Sequence, residues 1–116
     1  MTNELDPQGL SHDPEVVRAY VNDPLVHNRI SARLAMDMLQ AAEWTLEHAA
    51  EFPLPLLLMH GGADPICSAE ASRQFAEHVP GDGTFKLWDG LFHEIHNEPE
   101  QRQVFDTMIA WLQAHT

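Results

Sequence analysis

The sequence predicts an α/β fold whose centre is a parallel strand–helix–strand–helix unit, and three features support this prediction. Residues 56–59 are four large apolar residues in a row, which is typical of a strand buried on both faces in a parallel sheet. Residues 84–88 alternate and contain β-branched and aromatic side chains, which predicts a second strand. The segment between them is long enough for a helix, so the strands should be parallel neighbours joined by a right-handed crossover.

Composition and charge limit the classes of function. The 116 residues are 44% hydrophobic, which is enough for one small domain with a modest core. Six basic residues against eighteen acidic ones give a net charge of −12, so we expect no nucleic-acid partner. The single cysteine, Cys67, excludes an intrachain disulfide and a multi-cysteine zinc site. It is compatible with a reducing cytoplasm.

No segment of the sequence predicts membrane insertion or export. No apolar run approaches the roughly 18 residues of a membrane-spanning helix. The first four residues are too polar to begin a signal peptide. We therefore expect a soluble, cytoplasmic protein with no membrane span.

The first part of the chain predicts an irregular lead-in and a short helix. Residues 1–12 are mostly polar and contain Pro7 and Gly9. Asp13 is a good N-cap and Pro14 suits the first helical position, so a helix should begin here and end before Pro24. Its predicted apolar face consists of Val16, Val17, Tyr20 and Val21.

A longer helix is predicted from about residue 28 to residue 50. Its apolar side chains recur at helical spacing and form a broad stripe. The members of this stripe are Ile30, Leu34, Ala35, Met38, Leu39, Ala42 and Leu46. Two interpretations stay open, namely ordinary core and the wall of a pocket for an oily substrate, since methionine-rich surfaces adapt to such ligands.

Two further helices follow the first and second predicted strands. Ser68 is a good N-cap for a helix that continues to His78, and residues 80–83, Pro-Gly-Asp-Gly, predict a turn before the second strand. A last helix should begin near Pro99. Its predicted buried face consists of Val104, Met108, Trp111 and Leu112.

The residues with catalytic potential follow the two strands. Asp64 comes just after the first strand and His93 just after the second. Because the carboxyl ends of parallel strands meet at one edge of a sheet, we expect these side chains to lie close together. A carboxylate beside an imidazole is the orienting half of a nucleophilic triad.

The nucleophile of such a triad is not evident. None of the serines lies in a Gly-x-Ser-x-Gly turn. Cys67 is near Asp64 and is an alternative nucleophile, although it lies toward the start of a helix. The simpler interpretations are that Asp64 is a turn residue and that His93 is a hydrogen-bonded loop histidine.

A metal site is the other alternative, because residues 93–98 contain four side chains of ligand type. These are His93, Glu94, His96 and Glu98. The His-Glu-Ile-His spacing is one residue shorter than that of a His-Glu-x-x-His zinc helix, so we expect no metal. His96 and Glu98 are instead expected to be loop polar groups or caps of the last helix. No cofactor is implied.

Two stretches resemble a known family. Residues 56–67, LLLMHGGADPIC, and residues 87–98, LWDGLFHEIHNE, resemble the C-terminal part of α/β-hydrolase-fold serine hydrolases, in the branch of monoacylglycerol lipases and lysophospholipases. The resemblance implies that Asp64 is the catalytic acid and His93 the catalytic base. It also implies that Ile66 and Cys67 lie near the site as substrate-binding residues.

The resemblance extends upstream and implies a division of the chain. Residues 21–26, VNDPLV, and the following helix resemble the end of the helical cap in that branch. Residues 1–51 are then the C-terminal part of the cap with its connecting helix, and residues 52–116 are the C-terminal part of the hydrolase core. The implied activity of the parent protein is carboxylic-ester hydrolysis, on a lipid-like or small ester.

The serine and the oxyanion-binding loop of the family have no counterpart in these residues. We therefore expect the chain to self-associate or to pair with a missing N-terminal part. The alternative is that the chain is a catalytically inactive fragment or an interaction module.

Overall fold

A computed structural model describes residues 1–116 and contains four α-helices and a two-stranded sheet. In chain order, the elements are α1 (Pro14–Asn22), α2 (Ala32–Glu47), β1 (Leu56–Gly61), α3 (Ala69–His78), β2 (Gly83–Trp88) and α4 (Gln101–Ala114). Short 3-10 turns lie at Pro7–Gly9, Ala49–Glu51 and Ile95–Asn97. The predicted order of strand, helix, strand and helix is confirmed.

The two strands are parallel and in register over their full length. Leu56 pairs with Gly83 at one end, and Gly61 pairs with Trp88 at the other. Helix α3 connects them and packs against both strands. Because both strands end at the same level, the loops that follow them lie side by side.

Side-chain caps determine where the helices begin. The Asp13 side chain accepts a hydrogen bond from the Glu15 backbone N–H at the start of α1, as the sequence predicts. Ser68 accepts from the Ala71 N–H at the start of α3. Ser31 accepts from the Leu34 N–H, so α2 begins at Ala32, four residues later than predicted.

The apolar faces of β1 and α2 are more exposed than the sequence predicts. Only Gly61 of β1 is buried, and β1 has a strand partner on one edge only. The prediction that β1 is buried on both faces is therefore wrong for this chain. Helix α2 has no buried residue, so the interpretation of its stripe as ordinary core is also wrong. Its exposed large side chains are Leu34, Met36, Met38, Leu39, Trp44 and Leu46.

The lead-in is anchored to the rest of the chain at two places. Thr2 forms an antiparallel bridge with Arg29, ahead of α2. Leu10 and Ser11 are buried against the segment that follows β2. The most fully buried large side chains, Glu98 and Val104, lie in that segment and in α4. The best-packed region is therefore next to the loops that carry Asp64 and His93.

None of the helices combines the length and the apolarity that crossing a lipid bilayer requires.

Candidate functional site

The candidate site lies at the carboxyl edge of the two-stranded sheet. The loops after β1 and β2 are joined there by backbone hydrogen bonds. The Gly62 N–H donates to the Trp88 carbonyl at 2.7 Å, and the Ala63 N–H donates to the Leu91 carbonyl at 2.9 Å. This contact is close because Gly61 has no side chain, since a Cβ built there would lie 2.5 Å from the Leu91 carbonyl oxygen.

The structure brings Asp64 and His93 together. Nδ1 of His93 lies 2.9 Å from Oδ2 of Asp64, although the residues are 29 positions apart. The Asp64 side chain is 2% exposed and that of His93 is 34% exposed. Because an ionised carboxylate only accepts hydrogen bonds, Nδ1 of His93 carries the proton. Nε2 has no partner in the chain and is free to act as a base.

Asp64 is held by its own turn. Its Oδ1 atom accepts from the backbone N–H groups of Ile66, at 2.8 Å, and Cys67, at 3.1 Å. Burial raises the pKa of the Asp64 carboxyl, but the hydrogen bonds from His93, Cys67 and Ile66 lower it by more, so the pKa lies below its usual value. The carboxylate is therefore ionised at neutral pH and fixes the tautomer of His93. Asp64 is thus a turn residue and a partner of His93 at the same time.

A second histidine, His60, also contacts Asp64, and the sequence analysis missed it. Its Nε2 atom lies 2.9 Å from Oδ2 of Asp64 and 3.2 Å from the Cys67 carbonyl oxygen. A carbonyl only accepts, so Nε2 carries the proton and Nδ1 accepts from the Ser72 hydroxyl at 2.7 Å. A polar ring at the end of an apolar strand, four residues before the acid, was the signal that could have identified it.

Cys67 lies beside this pair. The ligand-type atoms of Asp64, Cys67 and His93 lie within 4.8 Å of one another. Partial burial and the negative charge of Asp64 raise the pKa of the Cys67 thiol, which disfavours the thiolate that a nucleophile requires. The Oδ2 atom of Asp64 and the Nδ1 atom of His93 are joined by a hydrogen bond. This arrangement suits acid–base chemistry.

A cavity of about 320 Å³ opens onto these side chains. Its lining includes Asp64, His93, His60 and Cys67, together with Ser72 and Ile95. Ile66 is not part of the lining, and its side chain lies beside Gly9 of the lead-in. Of the two predicted substrate-binding residues, only Cys67 therefore faces the cavity.

The four residues of the metal alternative do not converge. Glu94 accepts from the side chain of Asn97 at 2.8 Å, and His96 is exposed. Glu98 is 0% exposed, and its oxygens accept four hydrogen bonds from neighbouring groups. Glu98 is therefore a polar residue of the loop before α4, as predicted, but its side chain does not cap that helix.

Glu98 instead joins the lead-in to the loop that carries His93. The donors to its carboxylate are the Ser11 hydroxyl at 2.8 Å, the His12 N–H and Nδ1 at 2.5 Å each, and the Phe92 N–H at 2.8 Å. The His12 ring also stacks on the Phe92 ring, with centroids 3.7 Å apart. Burial raises the pKa of Glu98, but these hydrogen bonds lower it by more. The site thus includes residues from the start of the chain, which the sequence analysis treated as irregular.

The chain is similar in sequence to a hydrolase family and to individual hydrolases. Residues 1–100 match the model of the family Hydrolase_4, described as serine aminopeptidase, S33. The chain is 40% identical over 114 residues to an uncharacterised abhydrolase domain-containing protein of Dictyostelium discoideum, covering 97% of this chain and 12% of that protein. It is 36% identical over 113 residues to a monoacylglycerol lipase of Mycolicibacterium smegmatis, covering 96% of this chain and 40% of that enzyme.

The chain also superposes closely on the solved structure of a monoacylglycerol lipase. The crystal structure of the Paleococcus ferrophilus monoacylglycerol lipase superposes with a TM-score of 0.92 at 37% identity, covering all of this chain and 46% of that one. The chain therefore spans less than half the length of each of these three proteins.

Proposed function

Because the chain belongs to the serine aminopeptidase S33 family of α/β-hydrolases, we propose that it supplies the acid and the base of a carboxylic-ester hydrolase. Its fold is the C-terminal portion of the α/β-hydrolase fold. The observation that carries the proposal is the hydrogen bond between Asp64 and His93, which leaves Nε2 of His93 unpartnered beside a cavity.

In the proposed mechanism, a serine from outside these 116 residues attacks the acyl carbonyl. His93 accepts the serine proton at Nε2 and returns it to the leaving alcohol, so an acyl-enzyme forms and the ester C–O bond breaks. His93 then takes a proton from the water that attacks the acyl-enzyme and returns it to the serine oxygen, so the bond between the acyl group and serine breaks and the carboxylic acid is released. Asp64 orients the ring and stabilises its protonated form throughout.

We propose a monoacylglycerol or a lysophospholipid as the substrate. The support is that relatives of this chain, in Mycolicibacterium smegmatis and Paleococcus ferrophilus, are monoacylglycerol lipases. Cys67 lines the cavity and is proposed to contact the substrate. Ile66 lies beside Gly9 and is proposed to stabilise the turn that carries Asp64. Replacing Cys67 by alanine should then change KM more than kcat.

We further propose that residues 1–51 are the end of the cap and residues 52–116 the end of the catalytic core. The open edge of β1 and the exposed apolar side chains of α2 then pack against a complementary N-terminal part or a second copy of the chain. Sedimentation velocity and binding of a hydrophobic dye test this. A monomer that binds no dye would contradict it and would leave the β1 edge unexplained.

The catalytic proposal can be tested in a chimera. The 116 residues replace the matching segment of the Mycolicibacterium smegmatis enzyme, and hydrolysis of a monoacylglycerol is measured. We expect activity in the chimera and a loss of about 10³-fold or more with His93→Ala or Asp64→Asn. The exposed His96 gives the matched control, because His96→Ala should retain activity. Equal activity of the His93 and His96 variants would overturn the proposal.

The isolated chain distinguishes the alternative, an inactive fragment or interaction module. If it hydrolyses a short-chain aryl ester and His93→Ala abolishes this, the chain carries or recruits a nucleophile. If it is inert and takes up no fluorophosphonate, the alternative of a catalytically inactive fragment is supported.

A cytoplasmic location is proposed from the free thiol of Cys67, and cell fractionation tests it.

A further inference from the structure

The His93 loop is held in place by the lead-in. The His93 backbone N–H donates to the Gly9 carbonyl at 3.2 Å, and the Glu94 N–H donates to the Leu10 carbonyl at 2.8 Å. Both donors belong to the loop that carries the proposed base. The position of that loop therefore depends on where residues 9–12 lie.

Glu98 determines where residues 9–12 lie. Its Oε1 atom accepts from the Ser11 hydroxyl and the His12 N–H, and its Oε2 atom accepts from His12 Nδ1 and the Phe92 N–H. One carboxylate thus binds the lead-in on one side and the residue next to His93 on the other. The Glu98 side chain is 0% exposed, so the carboxylate depends on these donors and not on water for its hydrogen bonds.

A carboxylate is the group that this position requires. All four contacts come from N–H or O–H donors, and an ionised carboxylate offers only acceptors. A glutamine would place an N–H₂ group against a donor on one side. The catalytic mechanism proposed above does not use Glu98, so its burial needs a separate explanation.

We propose that Glu98, with Ser11 and His12, is a positioning residue for His93. It clamps residues 9–12 to the loop after β2, so that Nδ1 of His93 stays on Asp64 and Nε2 faces the cavity. This inference deepens the proposed hydrolase function, on which its catalytic meaning depends.

The test measures the His93 ring directly in the full 116-residue chain. The Nδ1–H proton shared with Asp64 is followed by proton NMR, together with the ring ¹⁵N shifts that report the tautomer. With Glu98→Gln we expect its exchange with water to become about tenfold faster or more, because the loop opens more easily. Glu100→Gln is the matched control, since Glu100 is exposed and makes no side-chain hydrogen bond.

A thermal melt separates positioning from a purely structural role. If Glu98→Gln lowers Tm but leaves the His93 tautomer and proton exchange unchanged, the proposal is wrong. Should Glu98→Gln fail to fold, Ser11→Ala replaces it. That variant keeps the carboxylate and removes the Ser11 hydroxyl, which also lies 3.0 Å from the Asn97 carbonyl and accepts from the Asp13 N–H at 3.0 Å. We expect it to speed exchange by about threefold. No change in Ser11→Ala would likewise overturn the clamp.

The kinetics of the chimera distinguish this inference from the function on which it rests. We expect Glu98→Gln to lower kcat with little change in KM, because it displaces the base and not the substrate. If the unmodified chimera is inert, the proposed function fails, and the NMR measurement still decides the role of Glu98. If the chimera is active and Glu98→Gln matches it in kcat and in proton exchange, only the positioning role fails.

Discussion

Nε2 of His60 lies 2.9 Å from Oδ2 of Asp64, the same oxygen that accepts the hydrogen bond from His93. The proposed catalytic acid is therefore flanked by two imidazoles that line the same cavity, the more exposed ring of His93 and the ring of His60, which is fixed by Ser72.

Replacing His60 by leucine should destabilise the fold by about 1–3 kcal/mol, because the Asp64 carboxylate, which is 2% exposed, and the part-buried Ser72 hydroxyl each lose a partner. His60→Gln keeps a donor and should cost less. Urea unfolding of the two variants measures the difference. Equal stability of His60→Leu and the unmodified chain would show that the ring makes no net contribution.

The lowered pKa of Asp64 predicts a specific loss of stability in acid. A carboxyl whose pKa is lower in the folded state stabilises the fold at pH values above its unfolded pKa, about 3.9. This contribution disappears as the pH falls through the folded pKa. Between pH 5 and pH 2, stability should therefore fall more steeply for the unmodified chain than for Asp64→Asn, in urea titrations at each pH. Asp106→Asn, at an exposed position of α4, is the control and should keep the steep slope.

Gly61→Ala should disrupt the contact between the two loops. A Cβ at this position would lie 2.5 Å from the Leu91 carbonyl oxygen and closer still to that of Phe92, and backbone atoms yield little. We expect a loss of about 2 kcal/mol or more. Gly81→Ala provides the comparison, because its positive φ of 78° costs only about 1 kcal/mol and its Cβ would meet nothing within 4 Å. A smaller loss for Gly61→Ala than for Gly81→Ala would contradict the close loop contact.

Cys67 should react slowly with iodoacetamide at pH 8, because burial and the charge of Asp64 raise its pKa. Asp64→Asn removes that charge and should speed alkylation by about threefold. The interpretation of Cys67 as the nucleophile makes a different prediction. A thiolate paired with His93 would react quickly, and His93→Ala would slow it.

Local patterns predicted the central unit and the two residues proposed as catalytic. The apolar run of β1, the cap at Ser68 and the turn before β2 are all encoded within a few positions, and they determine the crossover. Once the strands are parallel, Asp64 and His93 must meet at one edge. These features needed no knowledge of distant contacts.

The parts that sequence reasoning missed depend on distant contacts or on missing neighbours. Ser11 and Glu98 are 87 positions apart, and no periodicity connects them. The apolar stripe of α2 predicts burial correctly only if something covers it, and the rest of these 116 residues leaves most of its large side chains exposed. His60 is the exception, because it lies only four positions before Asp64, and it was missed because no motif connected the last residues of β1 to the acid.

The contact between Ser11 and Glu98 also has a consequence for the order of folding. Closing a loop of 87 residues costs about 1 kcal/mol more entropy than closing the 29 residues between Asp64 and His93. Strand pairing and α3 can therefore form early, whereas the segment ahead of α1 docks late, because long-range contacts form slowly. We expect the contacts between residues 9–12 and the loop that carries His93 to be absent from the folding transition state, so Ser11→Ala should mainly raise the unfolding rate in stopped-flow measurements.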